Sequence, residues 1–479
     1  MNIKLLIILA IFVPVVGSFL LPYIGRFSEK LRNWYALSFV LVSLVCSLAM
    51  MPSVLSGTVT TITRVLPLGF NFVLTADMLA VFMAIVSSLI GSIIVLYSFD
   101  YISHYSNRNE YYMMVVLFLG SMMGIVFSAN LIFLYIFWEI TAIASWRLIG
   151  FFREKNYVLK ADKSFLVTVF GALLMLLGFI MIYQQTGSFD LAAIKETLKT
   201  SPLSNIAVAL ILFGILTKSA TLPFHTWLPD AGVAPSPVTA LLHAAVLVKI
   251  GVYVYARLFI ATFTVPEIWH IVVPVIAAAS ALISAGAALI ETDIKRIIAY
   301  STISQIGFIF LGLAVGNEMG VAGGLLYILM HGIAKGGLFL CAGIVEQKTH
   351  IKDITKLGGL IYTMPVTAVS FLLCSFSVMG IPPFGGFWSK YMVISGAVSA
   401  REFAIASVFV AGAFLTLIYL FRLFMLVFLG DAKASNPKEG SATMVSSVAT
   451  LAFMSILGGI FINYISGPVQ LTVKQMLGI

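Results

Sequence analysis

The sequence predicts an all-α integral membrane protein that crosses the bilayer about fourteen times. Of the 479 residues, 61% are hydrophobic and 10% are charged, whereas about 25% of the residues of a soluble domain are charged. The mean hydropathy of +1.07 excludes a water-exposed surface over most of the chain. Four lysines nevertheless lie inside apolar segments, where a charged side chain costs at least ~2.5–3.5 kcal/mol. They are Lys218, Lys249, Lys335 and Lys390.

The fourteen candidate spans follow from segment length, because about 20 apolar residues cross the hydrocarbon core of a bilayer. The first span has no A-x-A cleavage site and is read as a retained helix. The approximate limits of the spans are 3–23, 35–55, 76–98, 111–129, 131–152, 164–185, 206–228, 236–261, 269–290, 297–316, 320–345, 364–398, 403–429 and 443–465. No stretch between them is long enough to fold alone, so residues 1–479 are predicted to form a single membrane domain.

Prolines interrupt the seventh and twelfth spans. The seventh runs into Thr221-Leu-Pro-Phe-His-Thr-Trp-Leu-Pro-Asp230, and the twelfth contains Gly380-Ile-Pro-Pro-Phe-Gly-Gly-Phe-Trp-Ser-Lys390. Proline removes a backbone donor and clashes with the preceding turn, so both helices are predicted to break. Two similar breaks five spans apart suggest an inverted internal repeat of spans 4–8 and 9–13, with the functional site near the breaks. Two unrelated kinks are the alternative.

This repeat divides the domain into four parts. Residues 1–110 hold peripheral spans one to three, 111–261 the first repeat, 269–429 the second, and 443–465 the last span. Loops that follow odd-numbered spans carry fifteen lysines and arginines, against seven on the opposite side with both termini included. Cytoplasmic loops are enriched in these residues, which predicts a multi-pass protein of the cytoplasmic membrane with both termini on the non-cytoplasmic side.

Several functions are disfavoured by composition. The net charge of +9 comes from short loops and forms no basic patch interleaved with aromatic residues, so nucleic-acid binding is not expected. Cys46, Cys341 and Cys374 are isolated within apolar segments and form no CxxC motif. We therefore expect no metal site, cofactor or disulfide in this chain, and any redox chemistry would belong to another subunit.

The buried charges predict a proton path. Glu139 lies within span five. Its natural partner is Lys218, which lies beside the break of span seven. Burial and a neighbouring ammonium act in opposite directions on a carboxylate, so such a pair can change its protonation when one partner moves. A static ion pair that fixes helix packing is the alternative, although buried pairs contribute little net stability.

Five further basic residues extend this path. His331 and Lys335 are four residues apart and so share one face of a helix, where two positive charges would repel. His243 precedes Lys249 by six residues, which favours a connection through water over direct contact, and a satisfied core histidine is the alternative. Lys390 follows the second break and lies either at mid-membrane or reaches outward.

The residue types favour protons as the transported ion. Metal cations are bound by several oxygen ligands, whereas the deep residues here are mostly lysine and histidine with one clear carboxylate. Sodium is the weaker interpretation. Arg147 lies eight residues after Glu139 but stays charged in proteins, so it suits a structural or electrostatic role.

Five motifs of the sequence are distinctive when taken together. They are Leu216-Thr-Lys-Ser-Ala-Thr-Leu-Pro-Phe-His-Thr-Trp-Leu-Pro-Asp-Ala, Ala234-Pro-Ser-Pro-Val-Thr-Ala-Leu-Leu-His-Ala-Ala, Asp293-Ile-Lys-Arg-Ile-Ile-Ala-Tyr-Ser-Thr-Ile-Ser-Gln-Ile-Gly, His331-Gly-Ile-Ala-Lys-Gly-Gly-Leu-Phe-Leu and Gly380-Ile-Pro-Pro-Phe-Gly-Gly-Phe-Trp-Ser-Lys. These motifs resemble the antiporter-like subunits of respiratory complex I, a family that includes the large Mrp cation/proton antiporter subunits and subunits of membrane-bound group 4 hydrogenases. The resemblance covers about residues 75–430.

The resemblance implies a role for six of these polar residues and a fold of fourteen helices with two inverted repeats. Glu139 and Lys218 match the family's coupling pair, and Lys249 matches its central lysine. His331 and Lys335 match the linking residues, and Lys390 matches the residue of the far half-channel. The chain is expected to resemble the shorter subunit types, since it ends soon after span fourteen and leaves no room for the lateral helix extension of the longest type. It departs from relatives at Arg147 and in the loop that follows Asp230.

These observations predict a proton-translocating subunit of a larger ion-pumping complex. Moving a proton against the membrane potential needs ~2.3 kcal/mol per 100 mV, and the sequence contains neither a GxxxxGK[ST] loop nor an HExxH motif. The expected partners are other membrane subunits, peripheral redox subunits and the lipid bilayer. The alternatives are a Na⁺/H⁺ antiporter subunit of an Mrp-type complex, a stand-alone secondary transporter, and a structural scaffold without transport.

Overall fold

The computed structural model describes residues 2–67, 71–433 and 437–479, and these residues form a helical bundle with one short hairpin. The hairpin strands are β1 (Thr60–Val65) and β2 (Asn71–Ala76). The helices are α1 (Ile3–Phe27), α2 (Glu29–Leu55), α3 (Met78–Tyr101), α4 (Arg108–Phe127), α5 (Leu131–Ile149), α6 (Lys155–Thr186), α7 (Leu191–Leu198), α8 (Asn205–Lys218), α9 (Trp227–Asp230), α10 (Ser236–Ile260), α11 (Trp269–Ile290), α12 (Ile294–Ala314), α13 (Glu318–Thr349), α14 (Pro365–Met379), α15 (Gly385–Ser399), α16 (Phe403–Phe428), α17 (Ala442–Ile460) and α18 (Ile462–Leu477).

Helix length and composition confirm the predicted fold class. Within the described residues, twelve helices are long and apolar enough to cross a membrane. The shorter apolar helices α8 and α14 coincide with the predicted seventh and twelfth spans. The chain is therefore an all-α integral membrane protein, and the number of fourteen crossings stays a prediction.

Two groups of helices differ in how deeply they are buried. In their most apolar windows, α10 is 100% buried and α12 and α13 are each 94% buried, whereas α1, α2 and α16 are buried to 39% or less. A helix that is apolar all round but exposed on one side suits a lipid-facing position. The helices that carry Lys249, His331 and Lys335 are thus the interior ones.

The predicted break of span seven is present and its backbone is satisfied by neighbours. Helix α8 ends at Lys218, and Ala220 adopts a left-handed backbone with φ of 51°. The amide of Leu222 donates to Ser280 Oγ at 3.1 Å, and Trp227 Nε1 donates to the Thr217 carbonyl at 3.0 Å. Broken backbone at membrane depth needs such internal partners.

The second predicted break separates α14 from α15. Helix α14 ends at Met379, Gly380 turns the chain with φ of 83°, and α15 begins at Gly385. Gly459 of α17 packs directly on this break, because a Cβ atom at Gly459 would overlap the carbonyl oxygen of Pro383. Another helix therefore covers the second break.

Besides helices α7 and α18 and a π-helical turn at Ala256–Ile260, two features were not predicted from the sequence. The first is the antiparallel hairpin, in which Thr60 lies opposite Ala76 and Val65 lies opposite Asn71. The second is a π-helical turn at Leu241–Ala245 in α10, after which Val246 leaves the helical region with φ of −130° and ψ of −73°. Such turns are frequent at functional sites, and this one lies between His243 and Lys249.

Matched elements support the predicted internal repeat, which itself stays a prediction. Helices α6 and α13 each contain 32 residues. Each is followed by a residue that forms a β-bridge to a residue 60 positions earlier, Asp190 to Asn130 and Asp353 to Asp293. Those earlier residues directly precede α5 and α12. Corresponding helices therefore begin and end at corresponding points of the two halves.

Candidate functional site

The interior helices bring most of the predicted polar residues into one buried region. Lys218, Lys249, His243, His331 and Lys335 have no exposed surface. Lys390 is 4% exposed, so it does not reach outward to the headgroups. Glu139 is half-buried on α5. These side chains lie on α5, α8, α10, α13 and α15.

Lys249 and His331 form a direct hydrogen bond. Lys249 Nζ lies 2.6 Å from His331 Nδ1, between α10 and α13. Only one hydrogen fits between two nitrogens at this distance, so either the amine donates to a neutral ring or the ring donates to a neutral amine. The pair can therefore move a proton between its two members without a backbone rearrangement.

Lys335 is bound to α12. Its Nζ donates to Ser301 Oγ at 2.6 Å and to the Ile298 carbonyl at 3.1 Å. His331 and Lys335 were predicted to share a helix face, and each does point into the bundle, but their partners lie on different helices. The sequence could not supply these partners, since Ser301 precedes Lys335 by 34 residues and Lys249 precedes His331 by 82.

Lys390 has aromatic surroundings. Its Nζ lies 4.7 Å from the ring centre of Phe308 and 5.8 Å from that of Tyr327. Among the described residues it has no hydrogen-bond partner. An ammonium over aromatic rings is stabilised by their quadrupoles, so this site can hold a charged amine and leaves its lone pair free when the amine is neutral.

Lys218 and Glu139 do not form the predicted ion pair in this structure, although both are described. Lys218 Nζ donates to the Trp138 carbonyl at 3.3 Å and lies 5.2 Å from the ring centre of Trp138. Glu139 is the next residue along α5, and its Oε1 has no hydrogen-bond partner among the described residues. Lys218 therefore contacts the residue next to Glu139, while its ammonium is held by the backbone carbonyl of Trp138.

His243 packs against an aromatic ring. Its ring centre lies 4.4 Å from that of Phe339, and neither ring nitrogen is hydrogen-bonded within the described chain. His243 and Lys249 are not in direct contact in the structure, and the six-residue spacing had predicted that they would not be. Its place in a proton path stays a prediction.

Arg147 pairs with Glu110 and not with Glu139. Glu110 also accepts a hydrogen bond from Arg153. This arrangement agrees with the interpretation that Arg147 has a structural role. It ties α5 to the start of α4, away from the lysine series.

Uncharged polar residues near Lys335 were missed by sequence reasoning. Ser301 Oγ lies 2.7 Å from the Tyr419 hydroxyl, and Gln305 contacts Thr416, Tyr419 and Tyr327. All are fully buried. The signal available in the sequence was the spacing of Ser301 and Gln305, which are four residues apart and therefore share a helix face.

A charged cluster lies in the loops outside the predicted spans. Asp230 accepts hydrogen bonds from Lys163 at 2.7 Å and from Arg296 at 2.9 Å, and Arg296 also pairs with Glu291 at 2.9 Å. Burial alone raises the pKa of the Asp230 carboxyl, but the hydrogen bonds from Lys163 and Arg296 outweigh it and hold that pKa below its ordinary value. The cluster joins the segment after the first break to α6 and α12.

Side chains that could bind a metal lie apart from one another in the part of the chain that the structure describes. Across residues 2–67, 71–433 and 437–479, no three His, Cys, Asp or Glu side chains are grouped so that they could hold a metal ion. The buried polar side chains instead carry amine, imidazole and hydroxyl groups. Such groups accept and donate protons.

The fold and these side chains define a class of polytopic membrane protein in which ionisable groups lie inside a bundle with two broken helices. The family described as "NADH:quinone oxidoreductase/Mrp antiporter, TM" matches residues 128–416. The chain belongs to this family. The matched region contains Glu139, Lys249, His331 and Lys390.

Curated relatives are proteins of Na⁺/H⁺ antiporters. The chain is 33% identical over 490 residues to the A1 subunit of a Na⁺/H⁺ antiporter from Staphylococcus haemolyticus, a match that covers 95% of this chain and 60% of the relative. It is 34% identical over 490 residues to a Na⁺/H⁺ antiporter subunit of Alkalihalophilus pseudofirmus, a match that covers 95% of this chain and 61% of the relative. The chain thus spans about 60% of the length of the curated relatives it matches.

Solved structures share the fold. A chain of the Mrp complex from Dietzia sp. DQ12-45-1b superposes with a TM-score of 0.88 at 22% identity, covering 100% of this chain and 98% of that chain. A chain of the membrane-bound sulfane sulfur reductase, an archaeal respiratory membrane complex, superposes with a TM-score of 0.89 at 24% identity, covering 98% and 97%. At these identities the likeness is one of fold.

Proposed function

We propose that this chain is a proton-translocating subunit of a multi-subunit membrane complex. The observation that carries the proposal is the buried contact between Lys249 and His331, which holds one hydrogen between two basic nitrogens. Lys335 and Lys390 extend the series of basic groups toward α12 and α15. Each can take up and release a proton, and a buried charge is costly enough that a static role accounts poorly for so many of them.

The relatives favour ion exchange as the driving reaction. The curated proteins at 33–34% identity are named as subunits of Na⁺/H⁺ antiporters. We propose that this chain works in an Mrp-type assembly, in which Na⁺ moves through partner subunits and protons move through this chain. Redox-driven pumping is the alternative, and its support from the sulfane sulfur reductase is likeness of fold alone.

We propose that Glu139 and Lys218 couple this path to a neighbouring subunit, and that His243 serves the same path. Support comes from the position of Lys218 at the first break, from its contact with Trp138 beside Glu139, and from the Glu139 Oε1, which has no hydrogen-bond partner among the described residues. Movement of Lys218 away from the Trp138 carbonyl would let it meet the carboxylate. An approaching or departing charge of this kind changes the affinity of its neighbours for protons.

The placement in the membrane is part of this proposal. The bias of lysine and arginine between loops supports a cytoplasmic-membrane protein with both termini outside. The matched lengths of α6 and α13 support two repeats, 111–261 and 269–429, between the peripheral helices of 1–110 and the last span at 443–465. Each repeat contains five spans, and because this number is odd the second repeat is inverted in the membrane relative to the first.

The test uses the assembled complex, with this chain co-expressed with its partner subunits in everted vesicles of a host that lacks its own antiporters. Respiration acidifies the vesicles, and an acridine dye reports the release of protons when NaCl is added. We expect release with the native chain, loss of release in Lys249→Met, and native rates in Lys195→Met, which alters an exposed lysine. Co-purification of the partner subunits shows that each variant assembles.

Three outcomes would contradict the proposal. Native rates in an assembled Lys249→Met complex would exclude the lysine from the path and favour a scaffold. Flux through the isolated chain in liposomes would favour a stand-alone transporter. Proton movement that needs an electron donor and ignores Na⁺ would favour redox-driven pumping.

A further inference from the structure

A chain of uncharged polar side chains connects α16 and α12 to Lys335. From Thr416 it runs through Gln305, Tyr419 and Ser301 to the lysine amine. Every member is fully buried. An amide does not relay protons as a hydroxyl does, so the presence of Gln305 in this chain needs a different explanation.

Thr416 fixes which way the Gln305 amide points. The hydroxyl of Thr416 donates its only hydrogen to the Gly412 carbonyl at 2.7 Å. Thr416 Oγ1 can therefore only accept from Gln305, and the amide atom 3.1 Å away must be the nitrogen. The orientation of an amide is assigned from its neighbours, and here one neighbour leaves a single choice.

This orientation sets the direction of the hydrogen bonds on both sides of Gln305. The carbonyl oxygen faces Tyr327, whose hydroxyl donates to it at 2.6 Å. The amide nitrogen lies 3.4 Å from the Tyr419 hydroxyl and donates to it. Tyr419 then has its own hydrogen free, and Ser301 Oγ at 2.7 Å accepts it.

The direction matters for the two states of Lys335. When the amine is charged, it donates to Ser301 and to the Ile298 carbonyl. When it is neutral, its lone pair needs a donor, and the Ser301 hydroxyl can turn toward it because Tyr419 already supplies a hydrogen to the serine oxygen. If the amide were reversed, Tyr419 would donate its hydrogen to the Gln305 carbonyl and would accept a hydrogen bond from Ser301. The Ser301 hydroxyl could then no longer donate to the neutral amine of Lys335.

We infer that Gln305, oriented by Thr416, is a positioning residue that directs the Tyr419–Ser301 hydrogen bonds toward Lys335 and so stabilises its neutral amine. The inference rests on the proposed function and adds residues to the same site. The proton that Lys335 releases passes to the next basic group of the series. Ser301 and Tyr419 each keep one hydrogen, and their hydroxyl groups only rotate.

Other ionisable groups surround Lys335 and belong to the same equilibrium. Lys249 and His243 lie near it on α10, Lys390 on α15 and His331 on its own helix, and Tyr419 of α16 reaches it through Ser301. The Cys374 thiol of α14 lies against Gly337. Because a change at any of these groups also changes the pH dependence of transport, the test alters only uncharged members of the chain.

The experiment compares isosteric variants at Thr416 in the assembled complex. Thr416→Val keeps the shape but loses the acceptor that fixes the amide, whereas Thr416→Ser keeps it. We expect an about tenfold lower rate of Na⁺-driven proton release in Thr416→Val, and rates within about twofold of native in Thr416→Ser. Thr450→Val is the matched control, because Thr450 makes the same bond to a helix carbonyl on an exposed face.

The pH profile separates this role from a structural one. Loss of the donor leaves the neutral amine less stable, so the rate profiles of Thr416→Val and Tyr419→Phe should both move to higher pH, while that of Thr450→Val should not. If Thr416→Val and Thr416→Ser had equal rates and equal pH profiles while Lys249→Met was inactive, the role of Gln305 would be overturned and the proposed function would stand. Absence of transport by the native complex would overturn the proposed function, and the inference with it.

Discussion

Lys249 Nζ and His331 Nδ1 lie 2.6 Å apart although both side chains are fully buried and lie on different helices. Two positive charges at this distance would repel strongly in a medium of low dielectric constant. The contact is stable only when at least one of the two groups is neutral. When the pair already carries one positive charge, the uptake of a second proton therefore favours the release of a proton to a neighbouring group.

The first prediction concerns the need for a neutral state at Lys249. Lys249→Arg keeps the positive charge but arginine does not lose its proton in proteins, so we expect it to be as inactive as Lys249→Met. His331→Gln, which can still hydrogen-bond but not titrate, should reduce Na⁺-driven proton release by at least about tenfold. The vesicle assay measures all three. A rate in Lys249→Arg above half of native would show that a fixed charge suffices.

The second prediction separates a moving pair from a static one at Glu139 and Lys218. Since Lys218 is held by the Trp138 carbonyl and not by Glu139, Glu139→Gln should lower transport by about tenfold or more while the midpoint of thermal unfolding in detergent hardly changes. The double variant Glu139→Gln/Lys218→Met should show a stability coupling below ~0.5 kcal/mol. A coupling of several kcal/mol would instead identify a buried structural ion pair.

The third prediction is the pH dependence of stability contributed by Asp230. Its pKa is lowered on folding by Lys163 and Arg296. A lowered carboxyl pKa stabilises the folded state above the pKa of the unfolded chain, and this contribution is lost as the pH falls through the lower pKa of the folded state. Asp230→Asn should therefore lower the thermal midpoint at pH 7 and remove part of the decline in stability as the pH falls below the ordinary aspartate pKa of about 4.

The size of this effect is modest, because the Asp230 cluster is partly exposed. We expect about 0.5–1.5 kcal/mol at pH 7. The matched control is Glu196→Gln, which removes an exposed ion pair with Lys199 on α7 and should alter the midpoint little. Equal shifts in the two variants would mean that the cluster contributes no more than a surface pair.

Much of the fold could be predicted from the sequence because the bilayer imposes simple rules. About 20 apolar residues span it, and the prolines near Lys218 and Lys390 mark the breaks. The hairpin at Thr60–Val65 also left a signal, since β-branched residues are enriched there. The hairpin was not predicted because the apolar segments on either side of it are long enough to be membrane helices, and the strand signal between them is short.

The site could be predicted only as a set of residues. No pattern along the chain pairs Lys249 with His331, since the two are 82 positions apart and their contact depends on helix packing. The π-helical turn at Leu241–Ala245 contains no residue type that marks it. No pattern in the sequence pairs Gln305 with Thr416 and Tyr419, which lie on α16 at 111 and 114 positions later in the chain.

The fourth prediction concerns the packing of α17 on the second break. Gly459 of α17 packs against the carbonyl oxygen of Pro383, and a Cβ atom at that position would overlap it. Backbone cannot move aside as a flexible side chain can, so Gly459→Ala should destabilise the protein by about 1–3 kcal/mol. The thermal midpoint in detergent measures this loss.

Gly286→Ala is the matched control on helix α11, because a Cβ atom there would meet open space and both chain neighbours are alanines. Alanine is also the better helix former by roughly 1 kcal/mol, so Gly286→Ala should keep or raise the midpoint. Backbone freed by a break in a membrane helix needs protein around it. If Gly459→Ala and Gly286→Ala had the same midpoint, close packing of α17 on the second break would not be what holds that break in place.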